Sequence, residues 1–260
     1  MKYRSKLSII PVALAALIAV PAAAQSEPGP YVGVSGGVSL PGNSTNEGEL
    51  DSDVPATNDF AAIPAGAELQ WVTDFDDGYT IAGQVGYAFE NGIRIEAEGV
   101  YSRYDVGSHR DLQIGGANIG GVDSAILTRT AASPTNATVG EVLADGRGDV
   151  RTYGLFANVY YDFETGSNFR PYVGAGIGYQ MIDVDYQPSG LAVADDDDGA
   201  ITYQLMAGAS FEVSSGVELF GQYTYRQMTD EADIPLTLLP GSLEVESQQS
   251  LVTAGVRIRF

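Results

Sequence analysis

Three groups of residues in this 260-residue sequence have types and spacings that could do chemistry. The first is a set of charges at alternate positions of extended runs: Arg94, Glu96 and Glu98, then Glu212, Glu218 and Arg226, then Arg257 and Arg259. Residues two apart on a strand share a face, so each run would present its charges to one side. If those sides meet in a narrow interior, an ion-pair network is expected, because an unpaired buried ion costs several kcal/mol. Such a network reads as a structural plug, with a narrow ion path as the other reading; nothing in it is arranged for catalysis. The second group is Asp195, Asp196, Asp197 and Asp198. Carboxylates of this density attract hard divalent cations, but their spacing matches neither an EF-hand nor a glycine-rich calcium repeat. They are weak candidates for loose Ca²⁺ or Mg²⁺ association.

The third group is His109 beside Ser108, the one histidine of the chain. A hydrolase would need a serine, a histidine and an orienting acid brought together. His109 sits in the polar stretch Ser-His-Arg-Asp, and a solvated side chain is the expectation. Gly174, Gly176 and Gly178 lack the GxGxxG spacing of a dinucleotide loop and fall inside an alternating run, with no helix after them. Glycines there make room for neighbouring aromatics and ease curvature. The sequence therefore predicts no catalytic residue, no cofactor and no defined metal site.

The elements that must carry these residues follow from composition and periodicity. The chain has 32 glycines, 15 tyrosines and no cysteine, which excludes disulfides and thiolate-bound metals and points to an all-β architecture rich in turns. A net charge of −21 argues against attraction to nucleic acid.

Residues 1–24 have the form of a signal peptide. Lys2, Arg4 and Lys6 precede the apolar run Leu7–Val20, and Ala22-Ala23-Ala24 offers small residues for cleavage. The run is shorter than the ~20 residues of a spanning helix, so an exported mature domain at 25–260 is expected. No later stretch is apolar over a helical spanning length. If the mature chain enters a membrane, strands must hold it there.

Period-two alternation runs through the mature chain. Val32, Val34, Val38 and Leu40 share one face; so do Tyr79, Ile81, Val85, Tyr87 and Phe89, opposite Thr80 and Gln84. Asn91-Gly92, the strongest short hairpin signal, leads into Ile93, Ile95, Ala97, Gly99 and Tyr101. Similar runs follow at 153–163, 173–181, 201–213, 217–225 and 252–260. They predict an eight-stranded antiparallel up-and-down transmembrane barrel, with three tight turns at one rim and long extracellular loops at the other. The loops, 41–77, 105–149, 184–199 and 229–247, hold 25 of the 34 acidic residues. Residues 67–75 are expected either to lengthen a strand or to form a small hairpin, and ten strands are the alternative count. A soluble sandwich would also alternate, but its buried face would not carry charges of both signs, nor its other face end in aromatics. An interior of eight strands is too narrow for a porin-like channel.

Three stretches, 75–105, 158–180 and 203–226, resemble the outer-membrane β-barrel domain family that includes OmpA-like and OmpX-like small barrels and related surface antigens. With the terminal strands, the similarity covers most of the barrel but not the loops. The resemblance implies structural, antigenic or adhesive roles, residence in the Gram-negative outer membrane, contact with its lipid and lipopolysaccharide, and handling by the barrel assembly machinery. Phe260, ending an alternating strand, looks like the assembly signal. No peptidoglycan-binding domain is expected after it, which tells against OmpA-style wall anchoring. Lipid A deacylases and omptin-like proteases are unsupported, the first because His109 is not placed on a strand beside lipid, the second because the strands are too few. The expected function is a non-enzymatic surface protein acting through acidic loops toward an unknown extracellular ligand; the alternative is a small passive porin-like channel for ions or small solutes.

Overall fold

The computed structural model describes residues 28–144, 146–190, 194–230, 232–245 and 247–260, so the expected signal peptide at 1–24 lies outside the described residues. Thirteen strands run in the order β1 (Gly29–Pro41), β2 (Ser44–Leu50), β3 (Glu68–Phe75), β4 (Gly78–Ala88), β5 (Ile93–Ile114), β6 (Ala117–Asn118), β7 (Gly148–Asp162), β8 (Phe169–Tyr186), β9 (Ala194–Ser214), β10 (Val217–Met228), β11 (Ala232–Pro235), β12 (Gly241–Val245) and β13 (Gln248–Arg259). Two short helices, α1 (Ala125–Thr128) and α2 (Val139–Leu143), lie between β6 and β7.

Eight strands close on themselves. β1 pairs with β13 and β4, and the circuit continues through β5, β7, β8, β9 and β10 back to β13, antiparallel at every step. Closure leaves this ring no unpaired edge. At one rim the strands turn tightly. Gly92 and Gly216 take φ of +79° and +75° there, a left-handed conformation that glycine adopts without a Cβ clash.

The ring's two faces are as unlike as the alternation predicts. Leu155 and Val34 on the outside are 74% and 65% exposed, while Arg94 on the inside is fully buried. Outward Tyr101 and Tyr153 pack at a tilt with ring centres 5.1 Å apart toward one end of the apolar belt, and Tyr161 and Phe163 meet edge to face at 5.1 Å toward the other.

The expectation of eight strands joined by long loops holds only for the ring. Beyond its far rim, the stretches read as loops contain β2, β3, β6, β11, β12 and the prolonged ends of β5, β8 and β9. β3 pairs with outer β5, β2 with β3, β12 with β2 and β11 with β12. Residues 68–75 thus form a strand that extends the line of β4 along β5, with Phe75 opposite Val106 and Tyr79 opposite Arg103, and that also hairpins with β2. The sequence hid these strands for a physical reason. On β2 the buried face carries Ser44 and Asn46, satisfied by one another and by Thr73, so alternation there changes no hydrophobicity.

The core of this extension is apolar. Tyr104, Val106, Val150, Ile182, Val184 and Met228 pack into one buried cluster. They lie on the inward face of the same strands whose lower portions carry the buried charges, so the interior changes from ionic to apolar along its length.

Candidate functional site

Buried charged side chains converge in the ionic interior, and they divide into three groups. In the first, Arg226 of β10 donates from Nη2 to Glu98 Oε1 at 3.1 Å and from Nε and Nη2 to Gln204 Oε1 at 3.0 and 2.7 Å. Gln204 in turn donates to Asn158 Oδ1 at 2.8 Å. The Arg226 guanidinium lies 4.3 Å from the Phe156 ring centre, a cation–π contact in a dry setting.

The second group centres on Arg94. Its Nε donates to Asp162 Oδ2 at 2.7 Å, and its Nη1 to the Tyr31 hydroxyl at 3.2 Å. Glu96 accepts from the hydroxyls of Tyr31 and Tyr160 at 2.9 and 3.0 Å, and stands 3.9 Å from Arg94. The third group gathers three arginines on Glu218: Arg257 at 3.0 Å, Arg259 at 2.8 Å and Arg170 at 3.1 Å. Arg170 also contacts Glu212.

All eight residues singled out in the sequence line this interior, but the pairing differs from the simplest expectation. Glu98 meets Arg226, whereas Arg257 and Arg259 turn to Glu218. The sequence reading missed Tyr31, Asp162 and Arg170 as members. Their signal was available in parity, since each stands at an alternate position to the outward residues of its own strand.

The rings that shield these ions need space on the neighbouring strand, where Gly174 stands opposite Tyr160 and Gly178 opposite Phe156. A Cβ at Gly174 would come within 2.3 Å of the Tyr160 ring, and one at Gly178 within 2.6 Å of Phe156. The Gly-Ala-Gly-Ile-Gly run is therefore a strand that seats inward aromatics.

The acidic run is not in a loop. Asp195–Asp198 belong to β9, with Asp195 opposite Asp185 and Asp197 opposite Asp183 of β8. The strand forms because β8 presents Ile182 and Val184 to the core while its aspartates take the other face. Among the described residues, no three histidine, cysteine or acidic side chains are gathered to hold a metal ion.

His109 is not a solvated loop residue either. It lies on outer β5, 6% exposed, with Nδ1 2.9 Å from Thr73 Oγ1 and its ring against Trp71 and Tyr186 at 6.4 and 5.0 Å. Burial pushes the Tyr186 phenol well above its ordinary range. Neighbouring Ser108 points to Asp74 at 3.5 Å, so serine and histidine take different partners. Elsewhere in the extension, Asp123 accepts from the Ala125 backbone, the Asn136 amide and the Ser133 backbone, which holds its carboxyl below the usual range. Glu141 is lowered in the same way by the Thr138 backbone and hydroxyl in a capping box.

Comparison with known proteins agrees with this geometry. The profile of the outer membrane protein beta-barrel domain matches residues 10–260. A curated relative from Gluconacetobacter diazotrophicus, named outer membrane protein, is 28% identical over 232 residues, covering 85% of this chain and 52% of its own. The chain thus spans about half the length of that relative. Among solved structures, the outer membrane protein OprG of Pseudomonas aeruginosa matches with a TM-score of 0.52 at 13% identity, over 91% of this chain and 99% of that one. Neisserial surface protein A matches with a TM-score of 0.44 at 17% identity, over 89% and 97%. A closed antiparallel ring, greasy outside and ionic within, and a family profile spanning nearly all of the sequence lead to one assignment: the chain belongs to the outer membrane protein beta-barrel domain family and resides in the Gram-negative outer membrane.

Proposed function

We propose that this protein is a closed, non-enzymatic surface barrel whose ring spans the outer membrane as an eight-stranded up-and-down barrel. The extension then stands outside the cell and meets an extracellular ligand. The observation that carries this reading is the change of interior along shared strands. Arg226, Glu98 and Gln204 fill the ring, and the apolar cluster of Tyr104, Val150, Ile182 and Met228 lies above them. A hydrated ion following this route would have to separate buried ion pairs and then cross hydrocarbon, each step costing several kcal/mol.

The outward belt supports contact with outer-membrane lipid, its tyrosines sitting where headgroups begin. In the same reading the exposed carboxylates of the extension face lipopolysaccharide and its counter-ions. Strand β13 and Phe260, which is 75% exposed, would be handled by the barrel assembly machinery. Purified protein in planar bilayers is expected to give no discrete conductance steps. Reproducible steps of fixed size would instead establish the passive channel.

A further inference from the structure

Within the extension, the apolar core is incompletely filled. A cavity of about 40 Å³ lies between β3, β5 and the two helices, walled by Leu69, Trp71, His109, Leu112, Leu127 and Leu143. The segment joining β11 to β12 closes it with Leu236, Leu238 and Leu239. Leu236 and Leu238 are only partly buried, so the cavity ends under side chains that meet water.

We propose that this cavity is a binding site for the aliphatic end of a small, uncharged amphiphile. Its size sets the guest. A single water needs roughly 10–15 Å³, and a leucine-lined cavity of about 150 Å³ accepts benzene; about 40 Å³ takes the last one or two carbons of a chain and not a ring. Its lining sets the chemistry. A water inside would find leucines on most sides and too few partners to hold it, whereas methyl and methylene groups would gain the dispersion contacts that the walls now lack. The polar end of the guest would stay at the mouth, beside Leu236 and Leu238. Leucine side chains at that mouth are short enough to shift rotamer and admit a chain. The site is independent of whether the ring conducts.

Trp71 is the sole tryptophan of the chain and forms part of the wall, so its fluorescence reads occupancy directly. The test is titration of the full chain in lipid nanodiscs with 3-bromo-1-propanol, whose bromine quenches an indole on contact. Quenching that saturates, is reversed by excess 1-butanol and falls at least fivefold in Leu143→Phe, which fills the cavity, would support the site. Quenching that rises linearly, is untouched by 1-butanol and is equal in Leu143→Phe would overturn it. Leu112→Ala decides independently of how well the filled variant folds. Enlarging the cavity should shift the best competitor from 1-butanol to longer alcohols, and an unchanged chain-length preference would also overturn the proposal.

Discussion

Arg226 and Glu98 meet at 3.1 Å although 128 residues separate them, and their strands, β10 and β5, stand four places apart in a ring of eight. The pair therefore crosses the full diameter of the interior. Removing one member leaves the other buried without its counter-charge, a loss of about 3–5 kcal/mol. Glu98→Gln and Arg226→Gln should each lower the urea midpoint of unfolding from lipid vesicles. The double variant Glu98→Leu/Arg226→Met should recover most of that loss, since an apolar pair of similar volume needs no partner. Additive losses in the double variant would contradict a direct pair.

The seating of aromatics on glycine gives a second expectation. Gly174→Val places methyl groups inside the Tyr160 ring, and overpacking of this kind costs about 1–3 kcal/mol or more. The variant should lose the heat-modifiable gel mobility of a folded barrel. Tyr160→Phe in that background should not restore it, because the ring itself is the obstacle.

Acid should loosen one part of the extension before the ring. The Asp123 and Glu141 carboxyls are held below their ordinary range by the hydrogen bonds they accept. A depressed folded-state pKa means that their contribution is present above the unfolded value, near ~4, and fades as pH falls through the lower folded value. Protease cleavage within 119–143 should rise below about pH 4. Asp123→Asn should already show raised cleavage at neutral pH and a flatter acid response.

A buried ring wedged between Trp71 and Tyr186 is poorly placed for chemistry on lipid. Overexpression should leave the mass spectrum of lipid A unchanged, with or without His109→Ala. His109→Ala should instead lower the protease resistance of the extension, because it opens a hole against both rings. A lipid A species that appears on overexpression and vanishes in His109→Ala would reinstate an enzymatic role.

One arginine fastens two distant segments. Arg129 donates from Nη2 to the carbonyls of Pro55 and Ala61 at 2.6 and 3.0 Å, with its guanidinium 5.6 Å from the Phe60 ring. Arg129→Ala should speed cleavage in 51–67 several-fold without altering the ring's urea midpoint. An equal midpoint shift would mean that the extension and the ring unfold as one unit.

The ring was legible in the sequence because its faces differ so sharply. Val159 beside Asn158 or Ile95 beside Glu96 leaves no doubt which side meets which medium, and Asn91-Gly92 fixes a register. The extension was legible only in part. β3 announced itself through Leu69, Trp71 and Val72, but β2 reads as a polar coil until Thr73 is seen to satisfy Asn46. His109 was misplaced for a related reason. Its flanking Ser108, Arg110 and Asp111 look solvated, and burial comes from Trp71 and Tyr186, 38 and 77 positions away. In the ionic interior, charge type and parity found the participants, while partner choice depended on ring geometry. Nothing local to Arg257 tells it to favour Glu218 over Glu98.

β5, β8 and β9 run without a break from the outward apolar belt into the far end of the molecule, where β3 lies beside β5 and β11 beside β9, each from a remote part of the chain. An antibody approaching from outside would thus touch epitopes assembled from several segments at once. Immunisation with linear peptides copied from those segments should raise sera that recognise the denatured chain and pass over the living cell.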